Sequence, residues 1–195
     1  MQGYHHPEMN PHPKVGPIKS LLIANRGEIA IRVMRAATEL GLRTVAIHSR
    51  EDRFSLHRTK ADESYLVGDG KGPIEAYLDI ADIVRIATEA RVEAVHPGYG
   101  FLSESPEFAE ACAAAGLIFV GPLPDTMRKL GNKVAARNLA VSAGVPVMPA
   151  TPPLPADEAE VRAMARAVGF PVMLKASWGG GGRGMRIVEI GRAHV

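Results

Sequence analysis

Cysteine is nearly absent: Cys112 stands alone among 195 residues. A single thiol makes no internal disulfide and no Cys-rich zinc site, and it points to a reducing, cytoplasmic compartment. Long apolar runs are missing as well. No stretch approaches the roughly 18 to 20 residues that cross a bilayer, so no membrane partner is expected. Excess charge of one sign is lacking too. The 23 basic and 21 acidic residues leave a net charge of +2, too little to imply a nucleic-acid partner. The amino terminus has neither an apolar signal core nor an Arg-rich amphipathic segment. Residues 1–17 instead hold His5, His6 and His12 among four prolines. They read as a flexible tail whose histidines bind metal only adventitiously.

What is present suffices for a folded core. The chain is 46% hydrophobic and 23% charged, which excludes global disorder and fits one large domain or one and a half small ones. From Ile18 onward, short apolar runs alternate with amphipathic stretches. Leu21–Ala24, Thr44–His48, Ser64–Val67, Val92–His96 and Leu117–Val120 read as strands, the first buried on both faces. Between them, Ile29, Val33, Ala36, Ala37 and Leu40 recur at helical spacing, with Gly41 as a stop. Leu78–Ala90 and Glu107–Ala115 repeat the pattern. Cys112 falls on the apolar stripe of the last and reads as a small core residue. Strand and helix in alternation predict an α/β fold, a Rossmann-like open parallel sheet with ligands at the carboxyl ends of its strands.

After Gly121-Pro122 the composition shifts. Asp125–Leu130, Lys133–Ala143 and Asp157–Val168 read as helices, and Pro171–Lys175 and Met185–Val188 as strands. The expected organisation is a tail over 1–17, the open sheet over 18–130, and the start of a second domain over 131–188. That second domain shows little more than one hairpin, which is marginally stable alone.

The clearest chemistry lies between the last two strands, where Lys175 leads through Gly179, Gly180, Gly181, Gly182, Arg183 and Gly184 to Met185. Consecutive glycines let backbone N–H groups converge on an anion, and Lys175 and Arg183 add positive charge. A P-loop needs Gly-Lys followed by Ser or Thr at a helix start, which is absent. Gly179, Gly181 and Gly184 match G-x-G-x-x-G, but no helix follows to supply its dipole. A glycine flap over phosphates is left, against the plainer reading of a flexible linker. Lys133, opening its helix, is either a solvated charge or a second phosphate ligand. His96–Glu104 follows a strand's carboxyl end. It is either a ligand-facing segment or a rigid turn needing positive φ at Gly98 and Gly100.

Three segments, Leu22–Ala30, His96–Glu104 and Lys175–Arg186, together strongly resemble the biotin carboxylase component of biotin-dependent carboxylases. The resemblance runs nearly unbroken from Lys19 to Val188. It implies that the sheet is followed by the start of an ATP-grasp domain. It also implies that Lys133 and Lys175 are ATP ligands and that Gly179–Gly184, Arg183 and Met185 form a lid over the phosphates. The implied reaction activates bicarbonate with ATP and Mg²⁺ and carboxylates biotin on a carrier domain, within a homo-oligomer. The family's magnesium-, bicarbonate- and biotin-binding residues would follow position 195, so no catalytic or metal residue is assigned here. Ser55–Arg58, Gly72–Leu78 and Trp178 fit acetyl-CoA and propionyl-CoA carboxylases less well than another branch of the family. Carbamoyl phosphate synthetase, which shares the fold, and a non-catalytic nucleotide-binding module are the alternatives. After Val188 the resemblance stops. Residues 189–195 look like translated sequencing adapter and are expected to be non-native.

Overall fold

A computed structural model of the chain describes residues 16–176 and 184–189. The first 15 residues of the expected tail, Gly179–Arg183, and residues 190–195 of the expected non-native segment lie outside these. The chain divides into two compact units, Met1–Pro124 and Asp125–Val195.

In the first unit, five strands form a wholly parallel sheet in the order β3-β2-β1-β4-β5. They are β1 (Ser20–Ile23), β2 (Arg43–His48), β3 (Glu63–Leu66), β4 (Ala94–His96) and β5 (Ile118–Phe119). The helices are α1 (Gly27–Glu39), α2 (Ile80–Glu89) and α3 (Pro106–Ala114). The apolar run of β1 has a direct cause in layering. Leu21 and Ile23 pack with Ala30, Met34 and Ala37 of α1. Leu22 and Ala24 belong to the other cluster, with Ile83, Ile86 and Ala87 of α2 and Phe108 and Cys112 of α3. Side chains alternate across a strand, so a sheet covered on both sides needs apolar residues at every position.

The sheet and helix order follow the pattern of the sequence; the details depart from it in three places. Of the expected stripe of α1, Ala37 is buried, Val33 packs partly buried against the core and Ile29 is half-buried, but Ala36 and Leu40 are exposed and the buried face also includes Ala30 and Met34. The helix expected from Leu78 begins at Ile80, because the Asp79 carboxylate accepts from the Asp82 amide and caps it there. Such a cap is worth about 1 kcal/mol. Three 3₁₀ turns, Glu51–Phe54, Leu56–Lys60 and Glu75–Leu78, fill stretches that carry no periodic signal.

The second unit holds α4 (Pro124–Gly131), α5 (Lys133–Ser142) and α6 (Glu158–Val168). It also holds an antiparallel hairpin of β6 (Val172–Lys175) and β7 (Met185–Val188). Asn132 caps α5 by accepting from the Val134 and Ala135 amides, and Asp157 caps α6 through the Glu160 amide. Among the described residues no helix is long and apolar enough to cross a membrane.

Candidate functional site

Chain order dictates where a ligand would approach the first unit. β1 leads outward to β2 and β3, and β4 then returns to the other side of β1. This reversal is the switch point at which open α/β sheets take ligands. Here the crevice is filled. The wholly buried Asn25 amide donates to the Pro97 carbonyl at 2.7 Å and the Tyr99 carbonyl at 3.1 Å, and its oxygen accepts from the Arg26 amide. Gly98 and Gly100 both have positive φ (68° and 73°), as the turn reading of this segment requires. A Cβ on Gly98 would stand 2.7 Å from both Asn25 Nδ2 and Ile29 Cγ2, so the turn lies flat on the β1–α1 connection. The Gly98 amide donates to His96 Nδ1 at 2.9 Å. That nitrogen must be unprotonated to accept, and burial lowers the His96 pKa in the same direction.

A polar cluster beside this turn had no signal in the sequence. Asp52 Oδ2 accepts from Tyr77 Oη at 2.8 Å and Arg26 Nη1 at 3.0 Å, and Oδ1 accepts from Ser55 Oγ at 2.9 Å. Burial works to raise the Asp52 pKa, but the hydrogen bonds from Tyr77 and Ser55 and the Arg26 charge outweigh it and hold it below the usual value. The Tyr77 ring stacks on Phe101 with centroids 5.2 Å apart and planes 13° apart. An acidic residue within a polar run reads as solvated surface; only the fold brings residues 26, 52 and 77 together.

Cys112 is fully buried and its thiol is pushed up to about 11 by burial, so it is a core residue and not a nucleophile.

The predicted nucleotide residues are all in the second unit. The register of the hairpin sets Lys175 opposite Met185. Beyond that pair, the Ala176 amide donates to the Gly184 carbonyl at 2.9 Å, closing the base of the glycine loop. Gly184 has φ +72°, and a Cβ there would meet the Ala176 Cβ at 2.9 Å, so this position requires glycine. Lys175 is thus exposed at the mouth of the loop. Gly179–Gly182 and Arg183 lie outside the described residues. Lys133 is the first residue of α5, exposed, directly after its Asn132 cap. The structure brings Lys175, Gly184 and Met185 together by strand pairing. Among the described residues no group of three or more His, Cys, Asp or Glu could hold a metal ion.

Residues 17–127 match the biotin carboxylase N-terminal domain, and residues 132–193 match the carbamoyl-phosphate synthase L chain ATP-binding domain. The chain belongs to the biotin carboxylase N-terminal domain family. Within it, the chain is similar to pyruvate carboxylases. It is 56% identical over 173 residues to the mitochondrial pyruvate carboxylase of Homo sapiens, which covers 89% of this chain and 15% of that protein. A solved Rhizobium etli pyruvate carboxylase, crystallised with acetyl coenzyme A, superposes with a TM-score of 0.80 at 64% identity. The match covers 90% of this chain and 16% of that one. The biotin carboxylase domain dimer of Hydrogenobacter thermophilus 2-oxoglutarate carboxylase, in complex with MgADP, ADP and bicarbonate, superposes at 0.82 with 43% identity. It covers 89% of this chain and 38% of that one. The chain therefore spans about 15% of the length of the curated relatives it matches.

Proposed function

We propose that this chain forms the Rossmann-like region and the first part of the ATP-binding domain of a pyruvate carboxylase. In that enzyme ATP and bicarbonate would carboxylate biotin on a carrier domain, for transfer to pyruvate. The observation that carries the reading is Lys175 at the mouth of a glycine loop whose base is pinned by Ala176 and Gly184. Lys175 and Lys133 would neutralise nucleotide phosphates, and Gly179–Gly182, Arg183, Gly184 and Met185 would close over them and exclude water. The residue types fit this: two exposed lysines and a run of glycines suit a polyanion. Bound ATP would supply an activated phosphoryl group. The resemblance puts the carboxylates that would hold magnesium after position 195. The Hydrogenobacter domain, with its MgADP and bicarbonate, supports the same cofactors for this chain, and its dimer supports a homo-oligomer. The single cysteine supports a reducing compartment, which we take to be the cytoplasm; some similar proteins are mitochondrial. The ATP-binding match is to a domain of carbamoyl-phosphate synthase, but the match of residues 17–127 favours carboxylation of biotin over that chemistry.

The test is Lys175→Ala in a full-length carboxylase carrying this sequence. Loss of a charge-assisted phosphate contact is expected to weaken ATP binding by about 1.5 to 3 kcal/mol, measured by titration with ATP. Unchanged affinity, or a wild-type enzyme whose ADP release does not depend on biotin, overturns the reading.

A further inference from the structure

We infer that Asp52 is a positioning residue that holds the Pro97–Phe101 turn in the geometry the carboxylation uses, an inference that rests on the function proposed above. The turn is gripped at both ends, and both grips lead to Asp52. At its start, the Pro97 and Tyr99 carbonyls are held by Asn25, the residue before Arg26, whose guanidinium donates to Asp52 Oδ2 at 3.0 Å. At its end, Phe101 stacks on Tyr77, whose hydroxyl donates to the same oxygen at 2.8 Å. The Arg26 guanidinium also lies 5.8 Å from the Tyr77 ring centroid, so the two donors buttress each other over one acceptor. Asp52, in the 3₁₀ turn after β2, thereby ties the connection after β1, the segment before α2 and the turn after β4 to a single carboxylate.

The turn itself is strained. Phe101 has φ +41°, a conformation that L side chains rarely adopt, and Gly98 has no room for a side chain. Strained backbone persists only where its surroundings over-determine it, and it concentrates at functional sites. Beside the buried Pro97 and the core-packed Phe101, the turn presents Tyr99, 64% exposed and donating from its hydroxyl to Glu28 at 3.3 Å, at the carboxyl edge of the sheet. That edge is the one from which open α/β sheets meet their ligands. The network matches the charge state of its hub: an ionised carboxylate is acceptor-only, and every partner of Asp52 on this side is a donor.

Two arms test this. In the 195-residue chain, Asp52→Asn is expected to speed amide hydrogen exchange of residues 98–103 by about tenfold or more, with the β1 and β2 amides unchanged. Tyr77→Phe keeps the stack, removes only the hydroxyl, and should give a smaller change in the same residues. It also decides the matter if Asp52→Asn does not fold. Turn amides that do not respond to either variant, or strand amides that speed up equally, overturn the inference. In a full-length carboxylase carrying this sequence, Asp52→Asn should lower kcat/KM for biotin-dependent ATP cleavage by about tenfold at unchanged ATP affinity. An equal loss of ATP affinity, or none in kcat/KM, contradicts a positioning role. If the wild-type enzyme lacks this activity, the proposed function fails, and the exchange arm still reports whether Asp52 holds the turn.

Discussion

β1 and β7 are both four-residue strands with three apolar members, yet they sit in opposite surroundings. Every residue of β1 is buried, whereas in β7 only Val188 is buried and Ile187 is 61% exposed. Composition does not separate them; partners do. β1 has a hydrogen-bonded neighbour on each edge and helices over both faces. Among the described residues β7 pairs only with β6. The first unit therefore behaves as a scaffold. The hairpin carries between its strands the glycine-rich segment, whose base is pinned by the Ala176–Gly184 hydrogen bond.

Three measurements bear on this contrast. The largest effect is expected from Phe108→Ala in α3, which empties a fully buried site that also makes an edge-to-face contact with Phe119 at 5.7 Å. It should cost about 3 to 5 kcal/mol in denaturant unfolding of the first unit. A smaller effect comes from acid. The pKa values of His48, His57 and His96 are all lowered, with burial as the largest cause. His57 Nε2 is bonded to the Ile47 carbonyl, and its buried Nδ1 has no partner among the described residues. The unfolded chain binds protons at these sites first, so stability is full above about pH 6.5 and falls as the pH drops below it. Melting curves taken on either side of that value should show the loss in the first unit, where all three histidines lie. A loss confined to the hairpin would break the contrast. The smallest effect is expected from Ile187→Ser, within about 0.5 kcal/mol. A cost near that of Phe108→Ala would mean that Ile187 is covered in solution.

The sequence disclosed the sheet because its central strands β1, β2 and β4 carry apolar runs, and it disclosed the helices because their stripes recur at 3.6 residues. It located α1 and placed Ala37 and Val33 toward the core but missed Ala30 and Met34, because the rotation of a helix about its axis is set by packing against the sheet. Lys175, Gly184 and Met185 could be named as candidates because the chemistry they would share is contiguous in the chain. Asp52 was not, because its donors come from positions 26, 55 and 77 and only the fold collects them. The 3₁₀ turns escaped for a related reason: four or five residues are too few to show a period.

The place of β1 in the middle of the sheet has a further consequence, for the order of assembly. During synthesis β1, β2 and β3 can pair as soon as Leu66 has emerged, since their contacts span few residues. The other edge of β1 waits for Ala94–His96, about seventy residues downstream of its partners. Until then that edge is bare, and the Asn25 amide has no carbonyls to bind. Closing this long loop is the costly non-local step. It makes the β1–β4 seam the long-range closure of the first unit, with β5 still to add to β4, and a point at which an unfinished chain is open to pairing with a neighbour.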